Sequence, residues 1–328
     1  MINRYIAAGV AAAAMAFSSP VIAQETTLKA VTSLPKTHYF MKSFAKFVDR
    51  VNKEGKGLVQ INWIGGPEVT PAPKQPAALR RGVFDVVYGP VGYYGGQIPE
   101  SNAMLGTDIT PSVARKNGAF NMLDAAWNKR LGARILAWPH ASAQYILMLK
   151  DEPKPDGKGG YSVGGAKIRG QAHYAAMIRN IGGVLISIPP SEIQTSLERG
   201  LAVGLGWVTV SYAEQGWSKY VKYMIDPPIG HVSLAVIVNS RKFDSLPSKA
   251  KILLLRLGQA YEQETYDATL AEGKREREAA MKNGVKIIEL KGEARKKYVK
   301  DGTDYFWNLL GKKDPVVAKA MAAKFRKP

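Results

Sequence analysis

The sequence contains no cysteine and only four histidines. Without cysteine the chain cannot form disulfides, use a thiolate nucleophile, bind a metal through thiolates or carry the lipid of a lipoprotein. The histidines show neither an i, i+4 pair nor an accompanying carboxylate in a metal-ligand pattern; they are His38, His140, His173 and His231. We therefore expect no metal and no cofactor, and a fold stabilised by its buried core.

Motifs of common catalytic sites are also missing. The sequence has no Gly-x-Ser-x-Gly, no phosphate-binding loop and no dinucleotide fingerprint. The Ser-x-x-Lys spacing at Ser43–Lys46 and Ser248–Lys251 falls on predicted helices without its companion motifs. We do not expect an enzyme. A periplasmic hydrolase remains the alternative, because sequence alone does not exclude a catalytic carboxylate pair.

Long apolar runs are absent as well, and the longest one lies at the start of the chain. Arg4 precedes the apolar residues 5–17, Pro20 breaks that run, and Val21-Ile22-Ala23 follows, ending in a small residue. This pattern is typical of a secretory signal peptide, here residues 1–23. The run is shorter than the roughly 20 residues that cross a membrane. We expect an exported, periplasmic protein that is monomeric and not embedded in the membrane.

Acidic residues are few, 27 against 46 basic ones, which gives a formal net charge of +19. Much of the excess lies between Lys274 and Lys300, where glutamates interrupt the basic residues, as on a solvated helix face. No nucleic-acid-binding module or basic stripe with interleaved aromatics is present. We expect no nucleic-acid partner, but the charge allows an anionic ligand.

Apolar periodicity alternates between strand and helix along the chain, which predicts an α/β fold with helices covering the sheets. At roughly 100–200 residues per domain, the length predicts two lobes. Predicted strands cover 27–31, 58–64, 83–87, 133–138, 144–149, 184–188, 232–238 and 284–290. Predicted helices cover 37–52, 75–81, 112–129, 174–181, 249–282, 294–310 and the segment from Pro315.

One local pattern occurs twice. Leu79-Arg80-Arg81-Gly82-Val83 is similar to Leu197-Glu198-Arg199-Gly200-Leu201, and each follows a predicted helix and precedes an apolar strand. Glycine favours a helix end of this kind, because it adopts the left-handed capping conformation at little cost. The repeat indicates two lobes of similar construction, although chance could also produce a single match.

Arg169 is the first candidate for a ligand contact. It ends the short apolar strand 166–169, and ligands of open α/β sheets bind outside the carboxyl ends of strands. A guanidinium can bind a carboxylate through two parallel hydrogen bonds. A surface ion pair with an acidic neighbour is the alternative interpretation of this position.

Aromatic residues at strand ends and loops are the second group of candidates, since aromatic walls are typical of small-ligand clefts. Core packing is the alternative for each of them. Trp207 is the clearest case, because it follows Gly204-Leu205-Gly206, where the chain has room to turn. The group consists of Tyr88, Tyr93, Tyr94, Trp138, Tyr145, Trp207 and Tyr212.

The central part of the sequence resembles the solute-binding proteins of tripartite ATP-independent periplasmic (TRAP) transporters, the DctP-type family. The motifs that carry the resemblance are Gly165-Ala166-Lys167-Ile168-Arg169, Gly182-Gly183, Ile188-Pro189, Ser191-Glu192-Ile193 and Leu197-Glu198-Arg199-Gly200. The segments 135–145 and 236–247 also match. The resemblance implies an α/β, two-lobe periplasmic binding protein (type II-like) with hinge strands and a long lobe-spanning helix.

The resemblance also implies a division of the chain and a set of partners. Lobe 1 is expected over 24–150 and lobe 2 over 151–235. A crossing strand, the long helix and C-terminal helices that brace both lobes are expected over 236–328. The partners are a small organic carboxylate and the TRAP membrane subunits. A receptor for a tricarboxylate-type or ATP-driven importer, or for a sensor kinase, is the alternative.

By the resemblance, Arg169 aligns with the arginine that binds the ligand carboxylate, and Glu192 with a glutamate near the cleft. Two positions depart from the family pattern: Gln144 stands in place of a second arginine, and Trp207 lies where an asparagine motif is usual. We expect a monocarboxylate with an aromatic or apolar tail, with a C4-dicarboxylate as the alternative. Tyr88, Tyr93 and Trp207 are the expected walls and His38 an expected polar contact.

Overall fold

The computed structural model of the protein describes residues 25–327. The predicted signal peptide, residues 1–23, lies outside the described residues. The described chain forms two mixed sheets with helices packed against them, which confirms the two-lobe α/β fold. Within the described part, no helix is both long enough and apolar enough to cross a membrane.

Thirteen strands make up the sheets of the described chain. They are β1 (Thr26–Thr32), β2 (Val59–Gly65), β3 (Val86–Pro90), β4 (Ala133–Ala137), β5 (Tyr145–Leu149), β6 (Lys154–Pro155), β7 (Tyr161–Ser162), β8 (Lys167–Arg169), β9 (Val184–Ile186), β10 (Gly204–Val208), β11 (Tyr223–Asp226), β12 (Leu234–Asn239) and β13 (Lys286–Glu289). The first sheet has the order β2-β1-β3-β12-β4, and the second has the order β13-β11-β5-β10-β8-β9. The strands β6 and β7 form a small hairpin.

Eleven α-helices accompany these strands in the described chain. They are α1 (Tyr39–Glu54), α2 (Gln75–Arg81), α3 (Ser101–Leu105), α4 (Pro111–Lys116), α5 (Ala119–Leu131), α6 (Ala175–Asn180), α7 (Ile193–Glu198), α8 (Ser240–Asp244), α9 (Ser248–Lys282), α10 (Gly292–Lys313) and α11 (Pro315–Phe325). The single helix predicted over 112–129 is wrong: α4 and α5 are separate. Gly118 breaks it at φ 83°, and the Asn117 side chain accepts a hydrogen bond from the Ala119 amide.

The repeated helix-to-strand pattern has the predicted glycine conformation at both places. Gly82 and Gly200 have φ values of 79° and 68°, in the left-handed region. Beyond Gly82, the Val83 amide donates to the Ala78 carbonyl and completes the helix cap. Because the cap uses Val83, β3 begins at Val86 and not at the predicted start, Val83.

The chain crosses between the sheets several times. Because β4 lies in the first sheet and β5 in the second, residues 138–144 form one crossing; residues 227–233 form another, between β11 and β12. The helix α9 then leads from the first sheet back to β13 in the second. The predicted division at residues 150 and 235 stays a prediction, but by hydrogen bonding β5 belongs to the second sheet.

Two buried glutamates attach α9 to the segments next to these crossings. The Glu262 carboxylate binds Arg115 Nε and Nη2 at 2.6 and 2.8 Å, and it accepts the Trp138 amide at 2.6 Å. The Glu276 carboxylate accepts three consecutive amides, from Ser211 to Ala213, directly after β10. One helix therefore binds the backbone at a crossing segment and at a strand end of the second sheet.

We predict that Arg115→Met strongly destabilises the protein. Glu262 is only 3% exposed, and removing its cation leaves a buried carboxylate without charge compensation, which costs about 3–5 kcal/mol. Burial raises the pKa of Glu262, and loss of Arg115 raises it further. As the pH falls, a carboxyl group with a raised pKa in the folded state is protonated in the folded state before it is protonated in the unfolded state. The destabilisation caused by Arg115→Met should therefore shrink as the pH falls towards the folded-state pKa of Glu262. Urea unfolding at pH 8 and pH 5.5 measures both effects.

Arg256→Met is the matched control. Arg256 also binds a glutamate, Glu54, but both side chains are substantially exposed. An exposed pair contributes about 0–1 kcal/mol. Equal destabilisation by the two substitutions would contradict the role assigned to the buried pair.

Candidate functional site

A cavity of about 160 Å³ lies where the strand ends of the two sheets meet. Its walls come from the loops after β1, β3 and β8, the end of β10, and the segments beside β5 and β12. These loops and the end of β10 are carboxyl ends of parallel strands, where ligands of α/β sheets bind. The cavity is therefore the candidate site.

Arg169 ends β8 and reaches this cavity while only 2% of its surface is exposed. Its Nε donates to the Ile188 carbonyl at 2.9 Å, and its Nη1 donates to the Gly206 carbonyl at 3.2 Å. Its Cζ lies 5.8 Å from the centre of the Trp207 ring. Two backbone carbonyls and one indole thus fix the orientation of the guanidinium.

No carboxylate of the described residues forms an ion pair with Arg169. Burial lowers the pKa of Arg169 from its usual value, but an arginine remains charged in proteins. Backbone carbonyls satisfy two donors without neutralising the charge, and burying an uncompensated charge is costly. The electrostatics of the cavity therefore favour an anion next to Nη1 and Nη2.

Aromatic rings form much of the remaining wall. The Trp207 ring packs edge-on against Trp217, with centroids 4.7 Å apart, and Tyr93 lies on the opposite lobe after β3. Gly206 lets the chain pass close to Tyr174, because a Cβ at this position would lie 2.4 Å from Cδ1 of that ring. The structure thus brings together four of the residues predicted for the site: Arg169, Trp207, Tyr93 and His38.

His38 has a second role at the cavity wall. Its Nδ1 accepts the Phe40 amide at 3.3 Å, so the side chain caps the first turn of α1. Histidine is not among the preferred capping residues, so no sequence pattern predicts this role. The cap holds the ring at the start of the helix, beside the cavity.

Tyr88, predicted as a wall, does not line the cavity. It is fully buried in β3, its ring stacks on Phe44 of α1 at 4.7 Å, and its hydroxyl donates to the Phe40 carbonyl at 3.4 Å. The helix α1 covers this face of the strand. The sequence pattern showed an aromatic near a strand end but not the helix above it.

Gln144 and Glu192 also lie outside the cavity lining. Successive side chains of a strand point to opposite faces, so Tyr145 faces the cavity while Gln144 and Ile146 face a separate cavity of about 150 Å³ beside α9. Glu192 is exposed, and Pro190 lines the cavity in its place.

Tyr145, one of the aromatic candidates, lines the cavity, and so do His173 and Tyr174, which the sequence analysis did not single out for the site. His173 and Tyr174 follow Arg169 in the same loop. Their position beyond the carboxyl end of β8 is the signal that could have identified them.

A serine and a histidine lie in contact elsewhere in the fold. Ser43 Oγ is 2.7 Å from His140 Nε2, but it also donates to the Phe40 carbonyl, and His140 Nδ1 pairs with Thr269 and not with a carboxylate. Burial lowers the pKa of His140 to about 3, too low for a general base at neutral pH. Neither residue lines the cavity, so the pair belongs to the packing of the crossing segment.

Comparison with known proteins agrees with the two-lobe α/β fold. Residues 162–308, which include β8 to β13, match the family described as bacterial extracellular solute-binding protein, family 7 (DctP). A solute-binding protein of Albidiferax ferrireducens is 22% identical over 327 residues, covering 96% of this chain and 95% of the relative.

Solved structures share the fold over nearly the whole chain. An extracytoplasmic solute receptor of Bordetella pertussis, which binds pyroglutamic acid, aligns with a TM-score of 0.72 and 16% identity, covering 92% of this chain and 99% of that one. A TRAP periplasmic solute-binding protein of Desulfovibrio desulfuricans with bound sn-glycerol-3-phosphate aligns with a TM-score of 0.75 and 16% identity, covering 91% and 96%. The segment 162–308 thus matches the DctP family that the sequence resembles, and the solved TRAP solute-binding proteins share the two-lobe fold of this chain.

Proposed function

We propose that the protein captures a small organic monocarboxylate with an aromatic or apolar body in the periplasm and delivers it to TRAP membrane subunits. The observation that carries the proposal is the buried guanidinium of Arg169, which meets the cavity without a carboxylate partner among the described residues. In this proposal the segment 1–23 directs export.

The remaining donors of Arg169 define how a carboxylate binds. An arginine forms a two-bond fork with a carboxylate either through Nε and Nη2 or through Nη1 and Nη2. Because Nε already donates to Ile188, the first fork is taken, whereas Nη2 has no partner among the described residues. The ligand carboxylate therefore approaches the outer end of the guanidinium.

The size and walls of the cavity support a compact ligand. One bound water requires about 10–15 Å³, so a cavity of about 160 Å³ holds on the order of ten waters. A ligand of about ten non-hydrogen atoms fits this space. Trp207 and Tyr93 offer flat apolar surface to its body, and aromatic pairs gain about 0.5–1.5 kcal/mol beyond area burial.

A single anionic group matches the charge of the lining. Arg169 is the one lysine or arginine among the described residues of the wall, and no acidic residue lines it. The ligands of the two related structures, pyroglutamic acid and sn-glycerol-3-phosphate, also carry one anionic group each. This chemistry supports a monoanion, with a phosphate ester as the competitor that experiment must separate.

We predict that Arg169→Ala abolishes the ligand-induced rise in melting temperature. A ligand that binds only the folded state raises this temperature by mass action. Truncating one partner of a buried, hydrogen-bonded charge pair costs about 2–5 kcal/mol, which weakens binding by at least about 30-fold. A thermal-shift screen of carboxylates on the parent identifies a binder, and the same acid is then tested on the variant.

Arg199→Ala is the matched control for this screen. Arg199 is an exposed arginine of the same lobe and does not line the cavity. Its loss should leave the ligand-induced shift unchanged. An undiminished shift in Arg169→Ala would remove Arg169 from the site.

We also predict that phenylacetate binds at least tenfold more tightly than succinate. The second carboxylate of succinate finds no cation in the wall, and an unpaired buried acceptor costs about 2 kcal/mol. Titration calorimetry measures both affinities, with isovalerate as an apolar branched monocarboxylate and sn-glycerol-3-phosphate as a phosphate ester. If succinate binds more tightly than both monocarboxylates, the ligand class is wrong; if the phosphate ester does, the anion is a phosphate.

A further inference from the structure

We propose that His173 is the second recognition residue of the cavity and binds an uncharged hydrogen-bonding group of the ligand. This inference rests on the proposed function, because it assumes that Arg169 holds the carboxylate. It narrows the ligand class to monocarboxylates with a hydroxyl, oxo or amide group on the apolar body. The supporting observations concern the placement of the ring, its charge and its competitors.

Two aromatic neighbours fix the His173 ring. It lies in the short turn Ala172–Tyr174, with its centroid 4.7 Å from Tyr145 and 4.4 Å from Tyr174. The side chain is half-buried and lines the cavity with Arg169. The described residues provide no hydrogen bond to either ring nitrogen, although both of these atoms normally have partners.

Burial and the charge of Arg169 keep His173 neutral. Arg169 is the cation that faces it, and the tyrosines on its flanks, Tyr145 and Tyr174, have pKa values raised by burial. Burial, and secondarily the charge of Arg169, lowers the pKa of His173 to about 3. A neutral imidazole has one donor and one acceptor nitrogen, so it can bind a hydroxyl or an amide but cannot compensate a second carboxylate.

Three other polar side chains of the wall are less suited to this role. Ser233 donates its hydroxyl proton to the Met104 carbonyl at 2.9 Å, and His38 Nδ1 accepts the Phe40 amide. Gln171 is exposed to solvent, where a hydrogen bond gains little over water. His173 combines a fixed ring, a partly apolar surrounding and accessible nitrogens.

The test compares acids that share a skeleton: phenylacetate, mandelate and 4-hydroxyphenylacetate. Mandelate carries its hydroxyl next to the carboxylate, and 4-hydroxyphenylacetate carries it at the far end of the ring. Titration calorimetry on the parent should show at least one of them binding about three- to tenfold more tightly than phenylacetate, as one net hydrogen bond provides. This ratio should stay constant from pH 5 to pH 9, since His173 does not titrate in that range.

The variant His173→Phe keeps an aromatic ring against Tyr145 and Tyr174 but removes both nitrogens. We expect the hydroxylated and unsubstituted acids to bind it equally, with phenylacetate affinity changed less than threefold. The variant His173→Asn restores a donor and an acceptor and should recover part of the preference. If the phenylalanine variant does not fold, His173→Leu replaces it in the comparison.

The possible results separate this inference from the proposed function. A hydroxyl preference that persists in His173→Phe overturns the role of His173 and assigns the hydrogen bond to another polar group of the wall. Equal binding of the three acids to the parent overturns the His173 inference alone. Failure of the parent to bind any acid, including those of the carboxylate screen, overturns both proposals.

Discussion

The arrangement of the lobes depends on the hydrogen bonds that two buried glutamates of α9 accept from the backbone. Glu262 holds the backbone at Trp138, where the chain leaves the first sheet, and Glu276 holds the amides of residues 211–213, just beyond β10. At about 1.5 Å of rise per residue, these two carboxylates lie about 21 Å apart along one rigid helix. The strand β10, which ends just before the residues that Glu276 holds, carries Trp207 to the cavity. A change at Glu276 therefore acts on the cavity wall through the backbone.

All hydrogen bonds that orient Arg169 within the described residues go to the main chain, and the Trp207 ring adds one side-chain contact. Its hydrogen bonds go to the carbonyls of Ile188 and Gly206, which any residue could supply, although Gly206 is also required by the close approach of Tyr174. The guanidinium is therefore placed before a ligand arrives and keeps its charge uncompensated. Preorganised donors of this kind lose little entropy on binding, which favours affinity for a small anion.

Sequence patterns predicted the parts of the fold that periodicity determines, and missed those that depend on packing between elements. The apolar spacing of α1, the length of α9 and the glycine caps at Gly82 and Gly200 were all predicted correctly. The break at Gly118 and the strand β11 were missed, because a glycine within a polar stretch and a four-residue strand give weak signals. Of the residues predicted for the site, Arg169, Tyr93, Trp207 and His38 line the cavity. Tyr88 and Gln144 do not, because a covering helix and the alternation of a strand determine which way a side chain faces.

Under the proposed function, one fold can serve different ligands because different residues contact the carboxylate and the body of the ligand. The two related structures share the fold at 16% identity, yet one binds pyroglutamic acid and the other sn-glycerol-3-phosphate. In this chain His173 follows Arg169, the last residue of β8, by four residues. Trp207 and Tyr93 belong to different sheets or to the loops that follow their strands. A substitution at His173 changes the polar character of the wall without disturbing the carbonyls that hold Arg169. Under the proposed function, ligand preference can therefore change at the loop after β8 while the contact of Arg169 with the carboxylate and the helix that joins the lobes stay the same.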